Sequence, residues 1–161
     1  MNMIEELDLD LPGRIWRSRM PMDMTYDDTT IHQWMEADIT HVVCLQEVNE
    51  MQKYTAAFLP EEYSMFGFTT IHQSTPDHCG PEDYLAWWAA VKDALEALNN
   101  DARVVVHCHA GIGRTGMFLA SLLMLHNTID SSQAISSVRS SADCLKWAVN
   151  HRQRAFLEER K

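Results

Sequence analysis

Three β-branched residues in succession, Val104-Val105-Val106, lead through His107-Cys108-His109 into the glycine-spaced stretch Gly111-Ile112-Gly113-Arg114-Thr115-Gly116. The apolar run 117–125 comes directly after it. The unbroken valines predict a strand covered on both faces, the glycines a tight loop, and the apolar run a buried helix. A strand feeding a helix through such a loop belongs to an α/β layer fold. The loop amides and the positive end of the helix dipole face one spot, so the segment predicts an anion site.

The rest of the chain repeats the alternation. Strands are expected at 14–17, 40–45, 66–72 and 103–107, and helices at 28–37, 50–58, 114–126, 132–140 and 144–159. A further helix is expected to begin at Pro81 and to place Leu85, Trp88, Val91, Leu95 and Leu98 on one stripe before Asn99-Asn100 ends it. The pattern predicts a central, mostly parallel sheet of four to five strands flanked by helices, with the helix-rich last third closing one face. No stretch reads as a linker, so residues 1–161 are expected to form a single domain. The pentapeptide Thr-Thr-Ile-His-Gln occurs at 29–33 and again at 69–73 with different flanks, and carries no repeat architecture.

Charge and cysteine usage narrow the function classes. The 161 residues hold 23 acidic against 13 basic side chains, a formal net charge of −10, which repels phosphate backbones and anionic headgroups. Nucleic acid and membrane surfaces are therefore not expected partners. Cys44, Cys79, Cys108 and Cys144 stand singly with no C-x-x-C pair, which predicts reduced thiols rather than a zinc ribbon or a disulfide framework. Residues 1–13 are acidic and lack the features of a secretory signal, and the apolar run 117–125 is half the length of a membrane span. A cytoplasmic protein is expected; its oligomeric state is left open.

Three chemistries compete for the glycine loop. Gly111-x-Gly113-x-x-Gly116 has the spacing of a dinucleotide fingerprint, with Asp130 near the distance of a ribose-binding carboxylate. The chain beyond Gly116, however, holds none of the further strands that such a fold needs. An ATP-type phosphate loop fails because Met117 stands where lysine is required. The third reading starts from Cys108, a thiol placed among amide donors at a helix N-terminus where the thiolate is favoured, with Arg114 supplying a planar fork for two phosphoryl oxygens. A metal site from His107, Cys108 and His109, helped by His72 and His78, is disfavoured because consecutive strand residues point to opposite faces. No metal or other cofactor is expected.

The constellation His107-Cys108-x-x-Gly111-x-x-Arg114-Thr115 resembles the signature of the cysteine-dependent protein tyrosine phosphatase superfamily, H-C-x-x-G-x-x-R-[S/T], at every specified position. Thr75-Pro76-Asp77-His78-Cys79-Gly80-Pro81 is similar to the loop that carries the general acid in the small dual-specificity group, with Thr75 departing from the usual apolar residue. Leu11-Pro-Gly-Arg-Ile-Trp-Arg-Ser18 looks like that group's opening strand and Gln153-x-x-Phe156-Leu157 like its closing helix. The resemblance implies a phosphomonoester hydrolase acting through a cysteinyl-phosphate intermediate on phosphotyrosine in proteins, with phosphoserine and phosphothreonine as further substrates.

It also implies roles. Cys108 is the nucleophile, Arg114 and the backbone of His109, Ala110, Gly111, Ile112 and Gly113 the oxyanion cradle, Asp77 the general acid, and Thr115 the hydroxyl that meets the departing thiolate. His107 is a supporting donor whose side chain points away from the anion. Glu82 and Asp83 remain alternative acids. Neither His109 nor Ile112 is the lysine that phosphoinositide-directed relatives carry at these positions, so a phosphoprotein or phosphopeptide is the expected partner. Phosphoinositides, inositol phosphates, glucans and RNA 5′-phosphates are the alternative substrates. An inert phospho-binding module and a rhodanese-like sulfurtransferase are the alternative classes. Core filling is the expected job of most of the five tryptophans and ten methionines.

Overall fold

A computed structural model describes residues 3–21, 29–55 and 57–160. In chain order the elements are β1 (Ile4–Leu7), β2 (Arg14–Ser18), α1 (Thr29–Glu36), β3 (His41–Cys44), α2 (Val48–Tyr54), α3 (Leu59–Met65), β4 (Thr69–His72), α4 (Tyr84–Asn99), β5 (Arg103–His107), α5 (Gly113–Asn127), α6 (Ser131–Ser141), a 3-10 turn at Asp143–Leu145, and α7 (His151–Glu158). Among the described residues five strands form one sheet in the order β1-β2-β5-β3-β4, in which β1 runs antiparallel to β2 and every other pair is parallel. The mostly parallel α/β fold expected from the alternation is the fold observed. Among the described residues no helix is long and apolar enough to cross a membrane.

β5 takes the centre because it can be buried on both sides. Val104 and Val106 join the core formed with α4, α5, α6 and α7, while Val105 joins the core formed with α1, α2 and α3. Each buried valine stabilises the fold by about 1.5–3 kcal/mol. The period of two carries on past the strand. His107 therefore lies beneath the sheet on the α1–α3 face, and Cys108 comes up on the α4–α7 face.

The structure departs from the expected elements at definite places. α4 starts at Tyr84, capped by the Asp83 carboxylate accepting from the Ala86 amide at 3.0 Å, and not at Pro81. Its buried face is Trp87, Ala90, Val91, Ala94 and Leu98, whereas Leu85 from the expected stripe is 86% exposed. The alanines let the helix lie close on the sheet, which a stripe of large residues would prevent. The expected helix 144–159 is broken: a 3-10 turn, then Val149 at φ 70°, and only then α7. β1 and α3 were not expected. Position 28 of the first expected helix and position 56 of the second lie outside the described residues. The repeated pentapeptide is helical at its first site and a strand at its second, so packing rather than local preference decides its state.

Trp34 of α1 shows what holds the lower face. It is fully buried, packs edge-on against Tyr63 and Phe68 at 5.2 and 5.9 Å, lies 5.7 Å from the His107 ring, and donates its indole N–H to Ser18 Oγ at 3.0 Å. Trp34→Ala is expected to cost about 3–5 kcal/mol of stability, read from the urea midpoint.

Candidate active site

The loop between β5 and α5 is built by its carbonyls. His107 Nδ1 donates to the Cys108 carbonyl at 2.9 Å, the Met20 amide to that of His109 at 2.9 Å, Arg17 Nη2 to that of Ala110 at 2.7 Å, and Arg17 Nε to that of Gly111 at 2.9 Å. Four successive carbonyls are thus drawn into the body of the protein. In a planar trans peptide the N–H opposes the C=O, so the amides of residues 109–112 are turned the other way, toward the side where Cys108 lies. Gly111 is required here. Its φ is 76°, and a Cβ on it would overlap the Ser18 carbonyl and the Arg17 guanidinium.

The Cys108 thiol is buried and receives a hydrogen bond from Thr115 Oγ1 at 3.3 Å. Arg114, 1% exposed, gives two parallel hydrogen bonds of 2.7 Å to the Glu50 carboxylate on α2, and its Nη1 also donates to the Thr75 carbonyl at 2.9 Å. Its Nε is buried with no hydrogen-bond partner among the described residues. Burial opposes the guanidinium's charge, but Glu50 outweighs it and the Arg114 pKa is raised. At Glu50 burial likewise opposes the charge, and Arg114 together with Gln46 holds the carboxyl below the usual range.

The segment before α4 is tied to this centre. Besides the Thr75 link, Asp77 Oδ1 accepts from the His78 amide at 3.0 Å and stands 3.5 Å from Arg114 Nη2, and the His78 carbonyl accepts from Asn150 Nδ2 at 2.9 Å. Thr75 buries its hydroxyl against the Gln73 carbonyl at 3.0 Å, which accommodates a polar side chain at a position read as apolar. Asp77, Cys108, Arg114 and loop residues His109, Ala110, Ile112 and Gly113 line one cavity of about 420 Å³. Of the three carboxylates considered for the acid, Asp77 lines that cavity, while Asp83 is spent capping α4.

His107 is fully buried on the other face. With Nδ1–H committed to the Cys108 carbonyl, its Nε2 accepts from the Tyr63 hydroxyl at 2.7 Å. Burial, with help from the Arg114 charge, pushes its pKa down to about 4, and burial raises that of Tyr63 well above the usual phenol value. Cys44, also on the α1–α3 face, is pushed up to about 12 by burial, so the sheet separates an inert thiol from Cys108.

Every site residue expected from the sequence is thus placed around one centre, with His107 behind it. Sequence reasoning missed Glu50, Arg17, Tyr63, Asn150 and the cavity-lining Trp147 and Gln153. A buried arginine demands a counter-ion, which is the signal for Glu50, but nothing in the sequence chooses among 23 acidic residues.

The family described as "Polymorphic toxin system, DSP-PTPase phosphatase" matches residues 18–128. The chain belongs to that family. Cyclin-dependent kinase inhibitor 3 of Mus musculus is 32% identical over 90 residues, 56% of this chain and 42% of that protein. Tyrosine-protein phosphatase non-receptor type 7 of Homo sapiens is 32% identical over 100 residues, 56% of this chain and 28% of that protein. The matches thus span less than half the length of these relatives. In fold, the chain is similar to a crystal structure of kinase associated phosphatase with its catalytic-site cysteine replaced by serine. The TM-score is 0.88 at 22% identity, covering 99% of this chain and 94% of that one.

A pH dependence of stability arises from His107. Its pKa falls from an ordinary 6.5 to about 4 on folding, so the unfolded chain takes up the proton first as pH falls. Its contribution is complete above pH 6.5 and is lost as the pH drops toward 4. Between pH 7 and pH 5 about 2 kcal/mol is expected to disappear through this residue, and urea unfolding of His107→Asn should show a correspondingly flatter pH dependence.

Proposed function

We propose that the chain works as one catalytic domain over residues 1–161 that hydrolyses phosphomonoesters through a cysteinyl-phosphate intermediate. Its substrate is phosphotyrosine in a protein, with phosphoserine and phosphothreonine as further substrates. The observation that carries the reading is Arg114, which lines the same cavity as Cys108 and whose Nε is a buried N–H with no partner among the described residues. Buried donors are almost always satisfied, and a phosphoryl oxygen satisfies this one.

In this reading Cys108 attacks phosphorus in line while Arg114 and the loop amides hold the equatorial oxygens as charge spreads onto them. Asp77 gives its proton to the departing oxygen of the substrate. As a carboxylate it then takes a proton from the water that breaks the S–P bond, and Thr115 offers its hydroxyl to the sulfur as it leaves. His107 and Arg17 position the loop and touch no substrate. A phosphoprotein partner is supported by the names of the relatives and by the rim, where neither His109 nor Ile112 carries a fixed positive charge. A reducing, cytoplasmic setting is supported by four free cysteines.

Hydrolysis of p-nitrophenyl phosphate is expected to survive EDTA, because the arginine and the amides supply the positive field, and to be blocked by vanadate. Cys108→Ser should abolish it, and appreciable turnover by that variant would remove the cysteine mechanism. Asp77→Asn should lower kcat by about 10²–10³, and by less on esters whose leaving group is already acidic. In a competition panel compared by kcat/KM, a phosphotyrosine peptide should rank first and a phosphoinositide below both phosphotyrosine and phosphothreonine peptides. A tenfold preference for a phosphoinositide or inositol hexakisphosphate would overturn the protein-phosphatase reading.

A further inference from the structure

One tryptophan is not used by the core. Trp16, Trp34 and Trp87 are buried and Trp88 is half-buried against Phe156, but Trp147 is 81% exposed. It lines the same cavity as Cys108, Arg114 and Asp77. A large apolar ring left in water beside that cavity forgoes the stabilisation that burial gives, so packing does not explain it.

The backbone that carries this ring is fixed. Leu145 and Ala148 on either side are buried, the Ala148 amide donates to the Leu145 carbonyl at 3.0 Å, and Arg139 clasps the next two carbonyls, donating Nε to that of Ala148 and Nη2 to that of Val149, both at 2.9 Å. Asn150, three residues on, caps α7 and holds the His78 carbonyl beside Asp77. The indole therefore stands on the same scaffold as the segment that bears the acid. The Lys146 ammonium lies 5.5 Å from its ring centroid, within the range of a cation–π contact, on one face of the ring. An exposed aromatic surface on a fixed backbone, with only two side-chain torsions to settle, is suited to meeting another flat apolar group at little entropic cost.

We propose that Trp147 is the specificity wall of the site: its indole packs against the aryl ring of a phosphotyrosyl side chain whose phosphate occupies the loop of Cys108 and Arg114. The inference rests on the phosphate-binding reading given above and adds to it the residue that tells phosphotyrosine from the alkyl esters phosphoserine and phosphothreonine. The shorter side chains present no ring to the indole and gain nothing from it. The wall also gives a physical ground for ranking phosphotyrosine first on a surface that offers little positive charge.

The test compares phosphotyrosine and phosphothreonine peptides of otherwise identical sequence on the wild type, Trp147→Ala and Trp147→Phe. Trp147→Ala is expected to lower kcat/KM for the phosphotyrosine peptide by about tenfold, with a much smaller change for the phosphothreonine peptide. Trp147→Phe should restore most of the ratio. An unchanged ratio, or equal losses on both peptides, overturns the wall. The same substitutions in a Cys108→Ser background are then followed by calorimetric binding of both peptides. If phosphotyrosine binding depends on Trp147 while the native chain turns nothing over, the hydrolase reading fails and the wall stands. If the native chain turns over and the ratio ignores Trp147, the wall fails and the hydrolase reading stands.

Discussion

The structure depends on one set of contacts, the anchoring of the carbonyls that precede α5 into the body of the protein. An anion site made of backbone cannot work if carbonyls share the space with amides, and nothing in the local sequence alone prevents that. Here His107, the Met20 amide and Arg17 each draw carbonyls away from the centre. The neutral state of His107 is part of this. Donating through Nδ1 and accepting from Tyr63 through Nε2, it needs one protonated and one bare nitrogen, which is the form that burial favours.

Arg114 answers a second constraint, that a buried cation must be compensated without being used up. Glu50 takes the two terminal nitrogens in parallel, and Thr75 shares one of them. Nε–H, on the edge that Glu50 does not take, has no hydrogen-bond partner among the described residues. A lysine could neutralise Glu50 but has no second edge, so the fork geometry rather than the charge makes this position specific. The same guanidinium stands 3.5 Å from Asp77, so the loop, α2 and the segment before α4 are brought into one electrostatic unit.

The features legible in the sequence were those with a local cause. Val104-Val105-Val106 read as a doubly covered strand, the glycine stretch as a loop and 117–125 as a buried helix because composition at those positions allows little else. The motif brought Asp77 to the site across 31 residues of chain. The features that were not legible depend on distant packing. β1 is a four-residue edge strand with two exposed glutamates, which has neither strict alternation nor an apolar run. On α4 the expected Val91 and Leu98 are buried and Trp88 and Leu95 half-buried, but Leu85 is exposed and Trp87, Ala90 and Ala94 complete the buried face, because close contact with the sheet favours small residues there. Val149 at φ 70° interrupts the expected last helix with a β-branched residue that gives no warning of a left-handed turn. The Thr-Thr-Ile-His-Gln pair makes the point within one chain, since identical residues fold into a helix beside Trp34 and a strand beside β3.

The parts that hold the loop before α5 together come from far apart along the chain. The Arg17 to Gly111 bond joins residues 94 positions apart, Arg114 reaches back 64 to Glu50, and Asn150 reaches back 72 to His78. Such closures come at a high entropic cost until the elements between them are packed, so they form together with the global fold and not ahead of it. A chain emerging from its N-terminus has the supports of the loop before it has the loop, and receives the clasp on the segment of Asp77 and His78 only with α7. Competence of the site is therefore a report on the completed fold: a partly synthesised or locally unfolded chain retains the thiol but not the oriented amides around it.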